Sequence, residues 1–331
     1  MEKRYAKISS AGRFLPERRL TNFDMEKMVD TNNQWILERT GIRERRILDK
    51  GLGNSYMAIR AAREALERAN VDASEVDAII VGTVTPDMFF PATACLVQKG
   101  IGASRAWGFD LSAGCAGFVF SLTTGAQFIE SGRYDRVLVI GSDVMSSIID
   151  YEDRNTCVLF GDAAGAVLLE PCEEPGYGII DYIQRIDGVG EDYLHMKAGG
   201  SRKPASIETV KNKEHYVYQE GRQVFKYAVS EMADVAVEIM KKHNLTGDDL
   251  ALFVPHQANI RIIEACARRM KLDPSKVIIN IDKYANTTAA TIPLCIYEAM
   301  VEKNQLKKGD NVVISAFGAG FCWGSVLIKW I

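Results

Sequence analysis

Two stretches of the chain read alike at a fixed separation. "AREALERANVDASEVDAIIVGT" from Ala62 and "AVEIMKKHNLTGDDLALFVPHQ" from Ala236 each pass from an amphipathic helix that stops at an Asn, through an acidic turn suited to N-capping, into a short apolar strand. Asn70 and Asn244 stand 174 residues apart; a second pair, "SGRYDRVLVIGSD" and "LKKGDNVVISAFG", aligns at Asp135 and Asp310, 175 apart. Helix-turn-strand units resemble one another in any α/β protein, but two independent matches at nearly one spacing point to an internal duplication. The spacing is too long for a solenoid or propeller. The chain therefore reads as two similar α/β halves of roughly 170 residues each.

The duplication makes a statement about chemistry. Adding 174 to Cys115, in "GFDLSAGCAGFVFSL", gives position 289, inside the small-residue turn "YANTTAAT" (284 to 291), so these two loops should be symmetry mates. "VPHQAN" (254 to 259) likewise ends a strand where "VGTVTP" (81 to 86) ends its own. Cys115, His256 and Asn286 thus fall at strand ends or helix starts, where α/β sheets carry their sites. Between the halves, roughly residues 171 to 221 read as an irregular, polar connection and covering excursion. We expect one half over residues 1–172 carrying the cysteine, and the other over 173–331 carrying the His and Asn and beginning with that connection.

Composition narrows the class. With 331 residues, 47% of them hydrophobic and 25% charged, the chain can bury a large enzyme core. A formal charge of -3 argues against nucleic-acid phosphate as the partner. No apolar stretch of signal-peptide length follows "MEKRYAKISS", and no run approaches the eighteen apolar residues of a membrane span, so the expectation is a cytoplasmic protein. Seven cysteines, spread singly with no C-x-x-C pair, argue against a disulfide framework or zinc cluster. No H-E-x-x-H and no Walker loop appear, so no metal is expected.

Among the thiols, Cys115 stands out because Gly and Ala flank it and an apolar helix, "AGFVFSLTTGAQFIE", follows. Partial positive charge at a helix start lowers a thiol pKa and would make a nucleophile; a buried packing thiol is the alternative, and the better reading for Cys95, Cys157, Cys172, Cys266 and Cys295. Cys322 is a rival, although its place beside Trp323 in the hairpin favours packing. His256, one of four histidines, could donate to a developing oxyanion, act as a base, or be structural. Asn286 could hold an oxygen that turns negative, though Asn is common in turns for backbone reasons. "ISAFGAGFCWGSVLIKW" lacks dinucleotide-loop spacing and room for the following helix, and reads as a hairpin between two apolar strands.

"LSAGCAGFVFSL", "VPHQANIRI", "NTTAA" and "FGAGFCWGS", in this order, resemble the Cys-His-Asn apparatus of the β-ketoacyl-acyl-carrier-protein synthase III family, as do "NQWILERTGIRERR" (33 to 46) and "LFGDAAGAVLLE" (159 to 170). The resemblance runs essentially end to end. It implies the thiolase-like fold, two pseudo-symmetric αβαβα halves forming a five-layered core, which agrees with the duplication. It also implies a homodimer that condenses a short acyl-CoA with malonyl-acyl-carrier protein, using coenzyme A thioesters as substrates and no cofactor. Carried onto this sequence, it makes Cys115 the acyl acceptor, His256 and Asn286 the decarboxylating pair, and the backbone N–H groups of Cys115 and Ala319 the oxyanion hole. Trp35, Arg39 and Arg154 would hold coenzyme A, and Phe90 would close an acyl pocket across the dimer interface. Arg261, Arg268, Arg269 and Lys271 would meet the acidic carrier protein, a solvated helix face being the alternative. The family often has Gly where Ala285 and Ala319 stand, which puts acyl-chain preference in question. A condensing enzyme with a longer or aromatic starter, a cysteine-dependent thioester hydrolase and a non-catalytic binding protein are the other readings.

Overall fold

The structure is a computed structural model and describes residues 4–331. Its first sheet contains β1 (Tyr5–Phe14), β2 (Ala78–Gly82), β3 (Trp107–Leu111), β4 (Val137–Asp143) and β5 (Ala163–Cys172), in the order β1-β5-β4-β2-β3. The second contains β6 (Gly178–Ile186), β7 (Leu250–Pro255), β8 (Asn311–Gly318) and β9 (Cys322–Lys329), in the order β6-β9-β8-β7. The two orders correspond strand for strand, with the same parallel and antiparallel pairings. The place of β3 is taken in the second sheet by a single parallel bridge between Phe253 and Val277.

The helices follow the same plan: α1 (Asn33–Thr40), α2 (Asn54–Ala69), α3 (Thr93–Ile101) and α4 (Gly117–Glu130) in the first half, α5 (Gly221–Lys242), α6 (Ile260–Met270) and α7 (Thr291–Tyr297) in the second. Asn70 caps α2 and Asn244 follows α5, both in the left-handed conformation that Asn tolerates, so the repeated Asn marks the same helix stop twice. The short 3-10 turn Gly114–Ala116 leads into α4, and Thr288–Ala290 leads into α7. These turns are 174 residues apart, the spacing read from the sequence.

Face alternation explains the layering. Within β2, Ile80 packs inward with Phe118, Val119 and Leu122 of α4, Ile292 and Ile296 of α7, and Val254, Ile314 and Val326 of the second sheet. Its neighbours Ile79 and Val81 point to the other side, against Ala58, Ala61, Ala62 and Ala65 of α2. Phe253, Val313 and Leu327 do the same on the far side against Met232, Ala236 and Ile239 of α5. The result is helix, sheet, helix pair, sheet, helix. Because α4 and α7 lie between two sheets they are apolar nearly all round, and β2 and β4 are buried along their whole length. Truncating the wholly buried Phe118 to Ala would cost about 3–5 kcal/mol.

The connection read as irregular over 171 to 221 contains the nine-residue strand β6, which closes the second sheet by pairing with β9. Its apolar signal is weak in the sequence because Asp181, Gln184 and Arg185 interrupt it, and only Gly178 and Ile179 of the strand are fully buried. Beyond it, Leu194–Met196 and Val217–Gln219 form a small ribbon that covers the site described next. No helix among the described residues is long and apolar enough to cross a membrane.

Candidate active site

Cys115, His256 and Asn286 line one apolar cavity between the halves, together with Ala319. Each is delivered by the end of a regular element. Cys115 sits in the 3-10 turn ahead of α4, His256 follows β7, and Asn286 precedes the turn into α7. The His256 backbone is tied to Ser315 O (2.8 Å), and Asn286 is tied to the first half by its N–H to Leu159 O (3.0 Å) and by Gly161 N–H to its own carbonyl (3.1 Å).

The two loops at the cavity floor meet because two residues lack side chains. A Cβ on Gly318 would lie 2.6 Å from the backbone N of both Cys115 and Ala116, and one on Gly114 would lie 2.6 Å from the N of Ala319. Gly114 also has φ +53. These glycines let the Cys115 and Ala319 amides come to one place, as an oxyanion hole requires. Ala319 lines the cavity, whereas Ala285 does not. The effect of Ala285 is on the backbone: it is buried and holds φ 60, ψ −158, a region suited to glycine.

The polar groups have defined roles. Asn286 Oδ1 accepts the Thr288 N–H (2.9 Å), so the amide nitrogen is the end left for the cavity. His256 Nδ1 lies 2.7 Å from the Thr291 hydroxyl, which lies 3.0 Å from the Thr288 carbonyl. A hydroxyl has one proton. Given to the carbonyl, it leaves Nδ1 as the donor and Nε2 bare; given to Nδ1, it leaves the proton on Nε2. Burial pushes the His256 imidazole down to about 3, so the ring is neutral.

The ionisation expected of Cys115 is corrected. Burial, and then the negative charge of Asp143, raise its thiol from 9.0 to about 12, against the weaker pull of Asn286 and its own N–H. The field of a helix start is worth up to about 2 kcal/mol, a factor of roughly thirty in ionisation, which does not offset that rise. The resting thiol is protonated. Cys322 does not line the cavity, and burial raises its thiol as well.

The other sequence-derived positions divide. The Arg154 guanidinium lies over the Trp35 ring, 5.5 Å from its centre, and pairs with Asp30 at 3.3 Å. Trp35 packs in one cluster with the cavity-wall residues Ile148, Leu159, Phe160 and Val217. Arg39 is exposed, and its carbonyl accepts from Asn259, another cavity residue, at 2.8 Å. Phe90 is 85% exposed and does not reach the cavity of its own chain. Arg261 lies over Phe225 of the cavity wall (5.4 Å) and forms no ion pair among the described residues. Arg268 pairs with Glu264 at 3.8 Å, Arg269 pairs with Asp234, and exposed Lys271 ends the helix nearly three turns from Arg261. The four basic residues therefore do not form one free patch.

With this geometry in place, the comparisons with known proteins are decisive. The C-terminal model of 3-oxoacyl-[acyl-carrier-protein (ACP)] synthase III matches residues 240–330, and the companion model of the same name matches residues 109–188. A β-ketoacyl-[acyl-carrier-protein] synthase III of Koribacter versatilis is 58% identical over 328 residues, 99% of this chain and 98% of that one. The chain belongs to the β-ketoacyl-acyl-carrier-protein synthase III family. The 3-oxoacyl-[acyl-carrier-protein] synthase III of Aquifex aeolicus superposes with a TM-score of 0.90 at 42% identity, covering 98% of this chain and 100% of that one. The priming β-ketosynthase of the R1128 polyketide pathway also superposes at 0.90, with 33% identity over 99% and 97% of the two chains. The fold is thus the thiolase-like fold of these condensing acyltransferases, as the sequence motifs implied.

Several site residues were not singled out from the sequence. Asp143 meets Thr288 only when the halves pack, and Thr291 meets His256 only when α7 folds beside the end of β7 within the second half. The one available signal was Asp143 itself, an acid closing an otherwise apolar strand, at the position that the second repeat spacing of 175 matches to Gly318.

Proposed function

We propose that this synthase starts fatty acid synthesis by condensing a short acyl-CoA with malonyl-acyl-carrier protein, releasing carbon dioxide and coenzyme A and forming a 3-oxoacyl-acyl-carrier protein. The observation that carries the reading is the convergence of a thiol, a neutral imidazole and a carboxamide on one apolar cavity beside two apposed backbone amides.

In the first half-reaction the Cys115 sulfur attacks the acyl thioester carbon. Its proton passes to bare His256 Nε2 as the carbon–sulfur bond forms, because the resting thiol is not ionised. The Cys115 and Ala319 amides hold the oxyanion. Collapse expels the coenzyme thiolate, which takes the proton from His256 and leaves as the thiol. In the second half-reaction the ring has exchanged its Nδ1 proton for one on Nε2 through solvent and the Thr291 hydroxyl has turned to donate to Nδ1, so that the malonyl thioester oxygen accepts from Nε2–H and from Asn286 Nδ2. Loss of carbon dioxide leaves an enolate on those donors. Its carbon attacks the acyl-Cys115 carbonyl, and the expelled thiolate takes a proton from solvent.

Coenzyme A is placed at the Trp35–Arg154 stack, where an indole offers a face to a flat base and guanidinium groups, Arg39 included, offer pairs to phosphates. Arg261, at the cavity wall and unpaired, is the contact proposed for the carrier protein. A homodimer is proposed through the edge strand β3, whose Trp107 is exposed, and the loop that exposes Met88, Phe89 and Phe90. The protein is taken to work in the cytoplasm.

A starter longer or aromatic is the second reading, favoured by the 33% identity with a polyketide-priming synthase. Turnover with malonyl-acyl-carrier protein across a series of acyl-CoA starters, with product masses, decides. Preference for two- to five-carbon starters supports the first reading, preference for long or aromatic ones the second, and free acid without a new carbon–carbon bond contradicts both.

A further inference from the structure

Asp143 is a buried carboxylate at the end of β4 that the reaction above does not use. Its Oδ1 accepts four hydrogen bonds from the loop after β2: the Thr83 hydroxyl (2.9 Å), the Val84 N–H (2.8 Å), the Thr85 N–H (3.2 Å) and the Thr85 hydroxyl (2.8 Å). Its Oδ2 accepts two from the other half of the molecule: the Thr288 hydroxyl, at short range, and the Ala289 N–H (3.3 Å). One oxygen is anchored in the half that carries Cys115, and the other grips the loop that carries Asn286.

The gripped residue is the one that orients Asn286, since the Thr288 N–H binds Asn286 Oδ1 at 2.9 Å. Thr288 stands at φ 51, an outlier for a β-branched residue, and such a conformation persists only where the surroundings over-determine it. We infer that Asp143 is a positioning residue which, through Thr288, holds the Asn286 amide nitrogen toward the malonyl thioester. The inference rests on the two-step reaction proposed above. Burial raises the Asp143 carboxyl itself against the pull of its hydrogen-bond donors; in its ionised form its charge opposes ionisation of Cys115, so it works against the first half-reaction while supporting the second.

That opposition supplies the test. In Asp143→Asn the amide oxygen can stay with the four donors of the β2 loop, which leaves an NH2 facing the Ala289 N–H and Thr288. Acyl transfer to Cys115 from acyl-CoA, followed by mass spectrometry, should proceed as in wild type or faster, whereas decarboxylation of malonyl-acyl-carrier protein by the acyl-enzyme should fall about 10- to 100-fold. A residue that merely stabilised the fold would lower both rates together. Thr288→Val, measured beside Thr288→Ser, serves if Asp143→Asn does not fold: Val should lose decarboxylation, and Ser, which keeps the hydroxyl, should restore it. Retained decarboxylation in Asp143→Asn, parallel loss of both half-reactions, or equal behaviour of the Val and Ser variants overturns the inference. Wild type run alongside separates this from the reaction itself, because a wild type that takes no acyl group or consumes no malonyl substrate contradicts the proposed function instead.

Discussion

Raising the pH in the presence of iodoacetamide separates a protonated nucleophile from an ionised one. With the Cys115 thiol at about 12, the ionised fraction at pH 7 is ten to the power 7 − 12, about one in 100,000, against about one in 100 at 9.0. Alkylation proceeds through the thiolate, so the resting site should react roughly 1,000-fold more slowly than an ordinary thiol, and still about 30-fold more slowly if the full field of the helix start is credited. The rate should climb about tenfold per pH unit with no plateau through pH 9. Timed alkylation between pH 6 and 10, followed by mass spectrometry of the Cys115 peptide, gives the rate directly, and exposed Cys95 serves as the internal comparison. A Cys115 rate that is flat below pH 7, or faster than that of Cys95 at neutral pH, would refute the reasoning, because it would mean that the helix field outweighs burial and Asp143.

Other consequences are as concrete. His256 is neutral when folded and titrates near 3 instead of 6.5, so its contribution to stability is complete above about pH 6.5 and is lost as the pH falls toward 3, by up to about 5 kcal/mol; urea melts of wild type and His256→Gln between pH 7 and 4 should converge on acidification, and parallel curves would contradict the assignment. Ala285→Gly should leave thermal stability unchanged or slightly raised, since relief of the φ 60 conformation, about 1–3 kcal/mol, offsets the usual cost of a glycine and a lost methyl group; a melting temperature several degrees lower would show that no strain is stored there. Arg261→Glu should raise the KM for malonyl-carrier protein about tenfold and weaken its salt dependence, with acyl-CoA kinetics unaltered; an unchanged carrier KM at low salt would remove Arg261 from docking.

The repeat was legible because its signals are local. Helix stop, capping turn and apolar strand each leave a short signature, and one spacing recovered from them places Gly114–Ala116 and Thr288–Ala290 in equivalent turns. The three chemical residues were legible for the same reason, each standing in a small-residue turn at an element end. What escaped notice depends on contacts between residues far apart in the chain. The strand Gly178–Ile186 carries too many polar residues to stand out from the excursion around it. Asp143 and Thr291 gain meaning only from the groups that fold against them. The charge state of Cys115 is not legible in the sequence, where a helix start can be seen but burial and the charge of a distant Asp143 cannot. The basic run after His256 looked continuous until Arg268 and Arg269 proved to be paired with acids.

The most direct test of the whole account is a pulse and chase on one thiol. Isotope-labelled acyl-CoA should leave a single acyl group on the peptide containing Cys115, and malonyl-acyl-carrier protein should then discharge it as a labelled 3-oxoacyl product. In Asn286→Ala the label should load and stay, whereas in His256→Ala, which lacks the acceptor for the Cys115 proton, loading itself should slow. Label on another residue, or equal labelling of Cys115→Ser, would contradict the account.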